Sequence, residues 1–304
     1  MDDRKEALRS LMCRLSFPPD AQKTFLNAFA CIAADRVGSA WFLSLLQQYE
    51  KSEQCQYTQL LSDMKVLGES LGIHEYTSAM LLFLCMGEKL LDRYTERGID
   101  ESIYYHTMMD FRYKLNECRQ IYGMDGLFTA FWSPGFFDLS RFALGRLQFE
   151  IVKTKADCTV DGETFPAGSK AINMHIPRTD TKLDHEAVLE SYGLAAEMFA
   201  HEFDARPVLF TCYSWLIAPW HLNVLSPESN LFKFIKDFKL VESGAYTDYS
   251  SAWRIFDCQF SGDVSALPQT TSLQRAYAER ITRGEPIEWG RGFFVYRDGK
   301  VCNR

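Results

Sequence analysis

The spacing of apolar residues changes once along this chain, and that change constrains the fold more than any other feature. Over the first 125 or so of its 304 residues the apolar positions follow a helical period. Leu8, Leu11, Met12 and Leu15 share one helical face, and Pro18-Pro19-Asp20 then interrupts and opens a second helix through Phe25, Phe29 and Ile32. Further helical stretches run from Ala40 to Tyr49, from Tyr57 to Leu71 and from Tyr76 to Arg97. Gly72 and Gly98 stand where helix C-caps are expected, and Asp100 is placed to cap a last helix that ends before Gly123.

After Gly126 the pattern becomes short runs of β-formers separated by turn signals. Leu144 to Lys153 and Ala171 to Ile176 read as strands, with a hairpin turn at Asp161-Gly162 between them. A helix from about Asp184 to Phe203 carries Val188, Tyr192, Ala195, Ala196 and Phe199 as its apolar stripe, with Asp184 as N-cap. Val208 to Leu216 is apolar on both alternating faces, as a central strand with neighbours on both sides must be. A helix over Ser229 to Lys239, a strand over Ala252 to Phe260, a helix over Ser272 to Thr282 and a hairpin at Asp298-Gly299 complete the expectation. Strands alternating with helices build an α/β layer. The expected fold is therefore α + α/β: an all-helical domain over 1–125 followed by a mixed α/β domain over 126–304.

With 47% hydrophobic and 24% charged residues, the chain has ample apolar surface to offset its conformational entropy. A formal charge of -7 argues against a nucleic-acid partner held by general electrostatics, since phosphate contacts need clustered Lys and Arg. The longest apolar run, Ala79 to Met86, is far shorter than the roughly 20 residues a membrane span takes, and Met1 to Glu6 shows no secretory pattern. A soluble, cytoplasmic protein without a membrane partner is expected. Its nine cysteines include no CxxC pair and no close Cys/His grouping, so they read as reduced thiols and no metal site is expected.

The stretch with most chemistry in it is strand, loop, helix, strand: Ala171 to Pro177, Arg178 to Leu183, the Asp184 helix, then Thr211 to Leu216. In an open sheet, ligands bind beyond the carboxyl ends of parallel strands, where helix N-termini supply amides. His175 and Ser214 stand at two such ends and are expected to face one cleft. An imidazole titrating near pH 6.5 suits His175 to act as a general base.

His175-Ile176-Pro177, the Ser191 to Phe199 helix, Cys212-Tyr213-Ser214-Trp215-Leu216 and Ser226-Pro227-Glu228-Ser229-Asn230 resemble a bacterial acyltransferase family. That family joins a helical N-terminal domain to a C-terminal domain similar to the GNAT N-acetyltransferase fold. The resemblance implies transfer of an acyl group from acyl-coenzyme A to a small-molecule amine acceptor by direct attack, without a metal. It implies His175 as base, amides near Ile176 for the pantetheine arm, Arg178 and Lys182 for the phosphates, and Thr179 and Thr181 as further donors. In the related superfamily this phosphate loop contains glycine, whereas here Arg178 to Leu183 contains none, and Asp180, Asp184 and Glu186 are acidic. The tyrosine that commonly protonates the leaving thiolate is matched here by Ile235, which leaves Tyr213 or Ser214 as the candidate acid.

Two other readings stand beside this one: a ligand-binding or interaction module that keeps the fold without the catalysis, and a thiol mechanism with Cys212 as nucleophile beside His175. Arg206, Lys233, Lys236 and Lys239 form a modest basic group, expected to be mostly solvated surface. The aromatic run Phe131 to Phe137 is expected to pack between the two halves rather than wall a substrate pocket. His74, His106, His185, His201 and His221 are read as surface or packing residues.

Overall fold

A computed structural model describes residues 1–52, 54–203 and 207–303. Its internal contacts group the chain into two compact units, Met1–Phe142 and the part from Ala143 onward.

The first unit contains α1 (Asp2–Arg14), α2 (Pro19–Ala34), α3 (Arg36–Lys51), α4 (Tyr57–Ser70), α5 (Glu75–Glu96), α6 (Glu101–Tyr122) and the short α7 (Pro134–Phe137). The helix ends follow the local chemistry. The side chain of Asp100 accepts the amide of Ser102, Gly123 closes α6 in the left-handed region, and Gly72 and Gly98 take positive φ just beyond α4 and α5. From Thr77 to Leu84 every residue of α5 is buried. A helix apolar all round belongs in the middle of a bundle, and α5 accordingly packs against α1, α2, α3, α4 and α6. The apolar run that is too short to cross a bilayer is thus the core of a helical unit, and no single helix among the described residues is long and apolar enough to cross a membrane.

The sequence places the domain boundary near residue 125, whereas the division between compact units falls at Phe142/Ala143. The intervening segment closes over the helices. Leu127 donates its amide to Tyr76, and the Phe137 ring lies 4.9 Å from that of Phe83 and 5.6 Å from that of Tyr49. Within the Phe131–Phe137 run, Phe136 and Phe137 are fully buried, with the Phe136 ring 6.4 Å from that of Phe111 in the same helical unit. Phe131 is exposed.

The second unit is built on a sheet of β1 (Arg141–Leu144), β2 (Leu147–Lys153), β5 (Lys170–His175), β6 (Val208–Ser214), β7 (Lys239–Ala245), β8 (Glu288–Arg297) and β9 (Lys300–Cys302). The strand order is β1-β2-β5-β6-β8-β7, with β9 paired to β8. A separate hairpin of β3 (Cys158–Val160) and β4 (Glu163–Phe165) turns at Asp161-Gly162, both at positive φ as that tight turn demands. The helices are α8 (His185–Met198), α9 (His221–Val224), α10 (Asn230–Lys236), α11 (Trp253–Phe256) and α12 (Ser272–Thr282). Strands β5 and β6, joined through α8, run parallel, while β2–β5, β6–β8, β7–β8 and β8–β9 are antiparallel. Central placement of β6 matches its two-faced apolar sequence.

Each face of the sheet has its own cover. On one, the Phe210 and Phe294 rings stack 4.9 Å apart beneath Tyr192 of α8 and Phe238. On the other, Ala171, Leu209, Phe293 and Val295 pack with Cys158 and Val160 of the hairpin.

A third cluster fills the long connection between β7 and β8: Ala252, Ile255, Phe256, Leu267, Tyr277, Ala278, Ile281 and Ile287. Here the expectation of a strand over Ala252 to Phe260 is corrected, for the segment contains α11, ended by Asp257 in the left-handed region. Ala252, Ile255 and Phe256 are spaced i, i+3, i+4, which gathers all three on one side only in a helix.

His221 is wholly buried at this cluster. Its Nδ1 lies 3.0 Å from the Leu216 carbonyl, which can only accept, so Nε2 is the nitrogen that accepts from the Tyr277 hydroxyl at 2.7 Å. Burial, with Arg280 nearby, lowers its pKa to about 4. A folded-state value below the unfolded 6.5 means stability present above pH 6.5 and lost as pH falls through 4. Urea unfolding should therefore weaken by about 3 kcal/mol across that window, and His221→Gln should flatten that part of the profile. An unchanged slope in the variant would assign the acid loss elsewhere.

Candidate active site

The β5–β6 ladder pairs Ile172 with Phe210, Asn173 with Thr211 and Met174 with Cys212, and stops short of the carboxyl ends of both strands. His175 and Tyr213 follow next on the two strands, on one face of the sheet, since side chains alternate and paired residues share a face. Ser214 is one residue further and points to the opposite face, with Cys212. The register thus brings His175 to Tyr213 and not to Ser214. The Ser214 hydroxyl instead accepts the Leu216 amide at 3.1 Å and caps the 3-10 turn Trp215–Ile217.

The neighbours of His175 come from a strand far away in sequence. Its Nε2 lies 2.7 Å from Oε1 of Glu150 on β2, and Asn173, two residues before it on the same face, places Nδ2 3.2 Å from that same oxygen. The Asn173 amide also approaches Nε2 at 3.1 Å. A carboxylate only accepts and an amide nitrogen only donates, so one arrangement satisfies all three groups: Nε2–H and Nδ2–H both donate to Glu150. That tautomer makes Nδ1 the basic nitrogen of the neutral ring.

Sequence reasoning missed Glu150 and Asn173. The available signal is parity: Asn173 and His175 occupy alternate positions of a strand whose other residues from 171 to 174 are buried and apolar. Glu150 carries no comparable local signal, since its link to Asn173 is a register contact between β2 and β5.

Tyr213 is 45% exposed. Its ring lies 4.8 Å from that of Trp289 on β8, and the Arg291 guanidinium stands over it at 5.1 Å. Glu242 of β7 faces Arg291, with a carboxylate oxygen 2.9 Å from Nε, an ion pair rather than an aligned hydrogen bond.

Between β5 and α8 the chain forms an exposed loop that begins at the half-buried Ile176. Arg146, on the β1–β2 turn, holds it by donating to the carbonyls of Pro177 at 3.0 Å and Lys182 at 3.2 Å. That turn sits against α8 through Arg146 N–H to Ser191 Oγ at 2.7 Å, and Gly145 permits the approach: it has φ of +64°, and a Cβ there would meet the Ser191 hydroxyl at 2.6 Å. Arg178 pairs with Asp257, Thr179 bonds the Thr181 hydroxyl and backbone, and the Lys182 side chain is exposed. The amides of Glu186 and Ala187 in the first turn of α8 are already taken by the Asp184 carboxylate. Those two amides are therefore not open to an anion.

Cys212 is fully buried, its thiol pKa is raised strongly by burial, and it lies on the face opposite His175. The thiol mechanism is thereby overturned: a nucleophile needs a thiolate within reach of the base. Of the basic group, Lys233 and Lys236 lie in the last turn of α10 and Lys239 opens β7, while Arg206 lies outside the described residues. Ile235 is buried on α10. His185 has a definite partner: both oxygens of Asp237 lie 3.0 Å from its Nε2, and the buried Tyr192 hydroxyl donates to the same carboxylate at 3.1 Å. Burial raises the Asp237 pKa against the opposing pull of His185. This group ties the start of α8 to the end of α10.

A parallel pair that opens at its carboxyl end, set in a sheet where β8 enters between β6 and β7, is the architecture of an N-acetyltransferase-like domain. The chain belongs to the GNAT-like C-terminal domain family, whose model matches residues 141–294, more than half its length. Residues 6–139 match the N-acyltransferase N-terminal domain. Among solved structures, an acyltransferase in complex with decanoyl-CoA and teicoplanin shares 22% identity, with a TM-score of 0.74 over 95% of this chain and 87% of that one. A tryptophan-to-alanine mutant of an acyltransferase in complex with octanoyl-CoA shares 21% identity, with a TM-score of 0.76 over 96% and 88%. These likenesses extend the shared fold over nearly the whole chain. A search of curated proteins finds no similar sequence.

Proposed function

We propose that the protein transfers an acyl group from acyl-coenzyme A to a small-molecule amine by direct attack. The observation that carries the reading is the Glu150–His175 pair at the open end of the parallel strands. The pantetheine arm would extend β5 by strand-like bonds near Ile176, with Lys182 and Arg178 meeting the phosphates, Arg178 exchanging Asp257 for them, and the Thr179 hydroxyl as a further donor. His175 Nδ1 takes a proton from the acceptor ammonium. The amine nitrogen then bonds to the thioester carbon, the carbon–sulfur bond breaks, Tyr213 gives the departing thiolate its proton, and the second proton shed by the new amide nitrogen restores the tyrosine hydroxyl. Glu150 holds the imidazole in the required tautomer and steadies the imidazolium. Holding amine and thioester in one cleft removes much of the bimolecular entropy cost. Support also comes from the related acyltransferases crystallised with decanoyl-CoA, octanoyl-CoA and teicoplanin. A co-substrate of the cytoplasm carries a cytoplasmic location with it.

Titration with coenzyme A, acetyl-, octanoyl- and decanoyl-coenzyme A, read as thermal stability, tests the donor site. Ligand at 100 times its Kd should stabilise by about 2.7 kcal/mol. No shift at millimolar concentration would overturn the reading, and a shift without amine-dependent release of coenzyme A would leave a ligand-binding module.

A further inference from the structure

The sheet face that holds His175 continues past Tyr213 to Trp289, a ring that the transfer chemistry does not use. Thr211 pairs with Phe293 and Tyr213 with Arg291 across β6 and β8, and Arg291 with Glu242 and Trp289 with Gly244 across β8 and β7. By the alternation of side chains these residues share the face of His175. The Trp289 indole lies over the backbone of β7, where a Cβ on Gly244 would come within 2.5 Å of it, so glycine lets the ring lie flat. Tyr213 is tilted by 53° against that indole and remains 45% exposed. Glu242 and Arg291 border the pair with one charge of each sign.

Resting on the N-acyltransferase reading, we infer that Tyr213 and Trp289 form the acceptor platform, and that the acceptor is a primary amine attached to a ring with a flat face. Three features give this chemistry. A rigid ring laid against an aromatic face keeps its contact area at little entropic cost, whereas a flexible alkyl chain must lose rotamer freedom to make the same contact. Neighbouring strands lie about 5 Å apart where they pair, and His175 and Tyr213 come one residue past the last paired rung, so an amine at His175 and a ring on Tyr213 need only a short linker between them. The Glu150 carboxylate favours a cationic acceptor over an anionic one, while Glu242 and Arg291 offset each other.

The test compares 2-phenylethylamine, D-glucosamine and n-hexylamine as acceptors, with octanoyl-coenzyme A as donor and release of coenzyme A as readout. At least one ring amine should exceed n-hexylamine in kcat/KM by about fivefold to tenfold, the order one aromatic contact supports, with the arene and sugar arms telling which ring is taken. Trp289→Leu should bring that ratio to about one through the KM of the ring amine, and Trp289→Phe should restore most of it. A damaged fold would lower all acceptors together, which leaves the ratio intact. Equal kcat/KM for the three amines, or a ratio unmoved by Trp289→Leu, overturns the platform. If no amine releases coenzyme A, the transfer reading fails, and calorimetric binding of the two ring amines decides the platform alone: binding lost in Trp289→Leu upholds it, and no binding to the wild type overturns it.

Discussion

Replacing His175 by glutamine lowers kcat by about 100-fold to 10,000-fold, the range a positioned general base contributes. Glutamine keeps the size and a polar end but has no basic nitrogen at neutral pH. The KM for acyl-coenzyme A should change little, because the proposed donor contacts are made by Ile176, Arg178, Thr179 and Lys182. Glu150→Leu should act in the same direction by about tenfold or more, since Nε2 then loses the acceptor 2.7 Å away that fixes the tautomer. Stopped-assay release of coenzyme A over a range of pH checks both variants. Full turnover in His175→Gln would remove the residue from the reaction.

The largest effect on folding is expected at Gly290. It pairs with Ser214 across β6 and β8, and a Cβ at this position would stand 2.2 Å from the Ile217 carbonyl oxygen and 2.9 Å from its carbon. Both obstructing atoms are backbone, so no rotamer change relieves the overlap. Gly290→Val should cost about 3 kcal/mol or more, the upper end of what overpacking in a well-ordered core costs, because the obstruction is backbone. That is a large part of the 5–15 kcal/mol that holds a typical domain folded, so the variant should unfold at much lower urea or fail to accumulate. A midpoint within experimental error of the wild type would show that the turn after β6 is free to move.

Much of the architecture is legible from residue type and spacing. Asp100 and Asp184 cap helices because a short carboxylate side chain can reach the first free amides, and the 272–282 helix begins where Thr271 and Gln274 form a reciprocal capping box. The turns at Asp161-Gly162 and Asp298-Gly299 need positive φ at both positions, which these residue pairs adopt with little strain. Other segments mislead because their signals are short. Ala252 to Phe260 mixes apolar residues compatible with either period, and the separate core between β7 and β8 selects the helix. The β7 strand is exposed along most of its length, which leaves no alternation to read.

The candidate site divides in the same way. Placement of His175, Tyr213 and Ser214 at strand ends follows from local pattern, but the choice between Tyr213 and Ser214 depends on parity. Parity is settled by which residues of β5 and β6 pair, and a shift of one residue exchanges the faces. Glu150 meets His175 only because β2 and β5 lie side by side in the sheet, and Trp289 reaches Tyr213 only because β8 enters between β6 and β7.

By itself, then, the amino-acid sequence determined the helical first part, the mixed α/β second part, the caps, the tight turns and the strand end that carries the candidate base. Those features depend on interactions within a few residues, where side-chain size, hydrogen-bonding reach and allowed φ suffice. Tertiary structure alone decided the partner of His175, the face of Ser214, the burial of Cys212 and the aromatic surface beside the base. Each of these is a contact between strands far apart in the chain, chosen by the register and packing of the whole sheet.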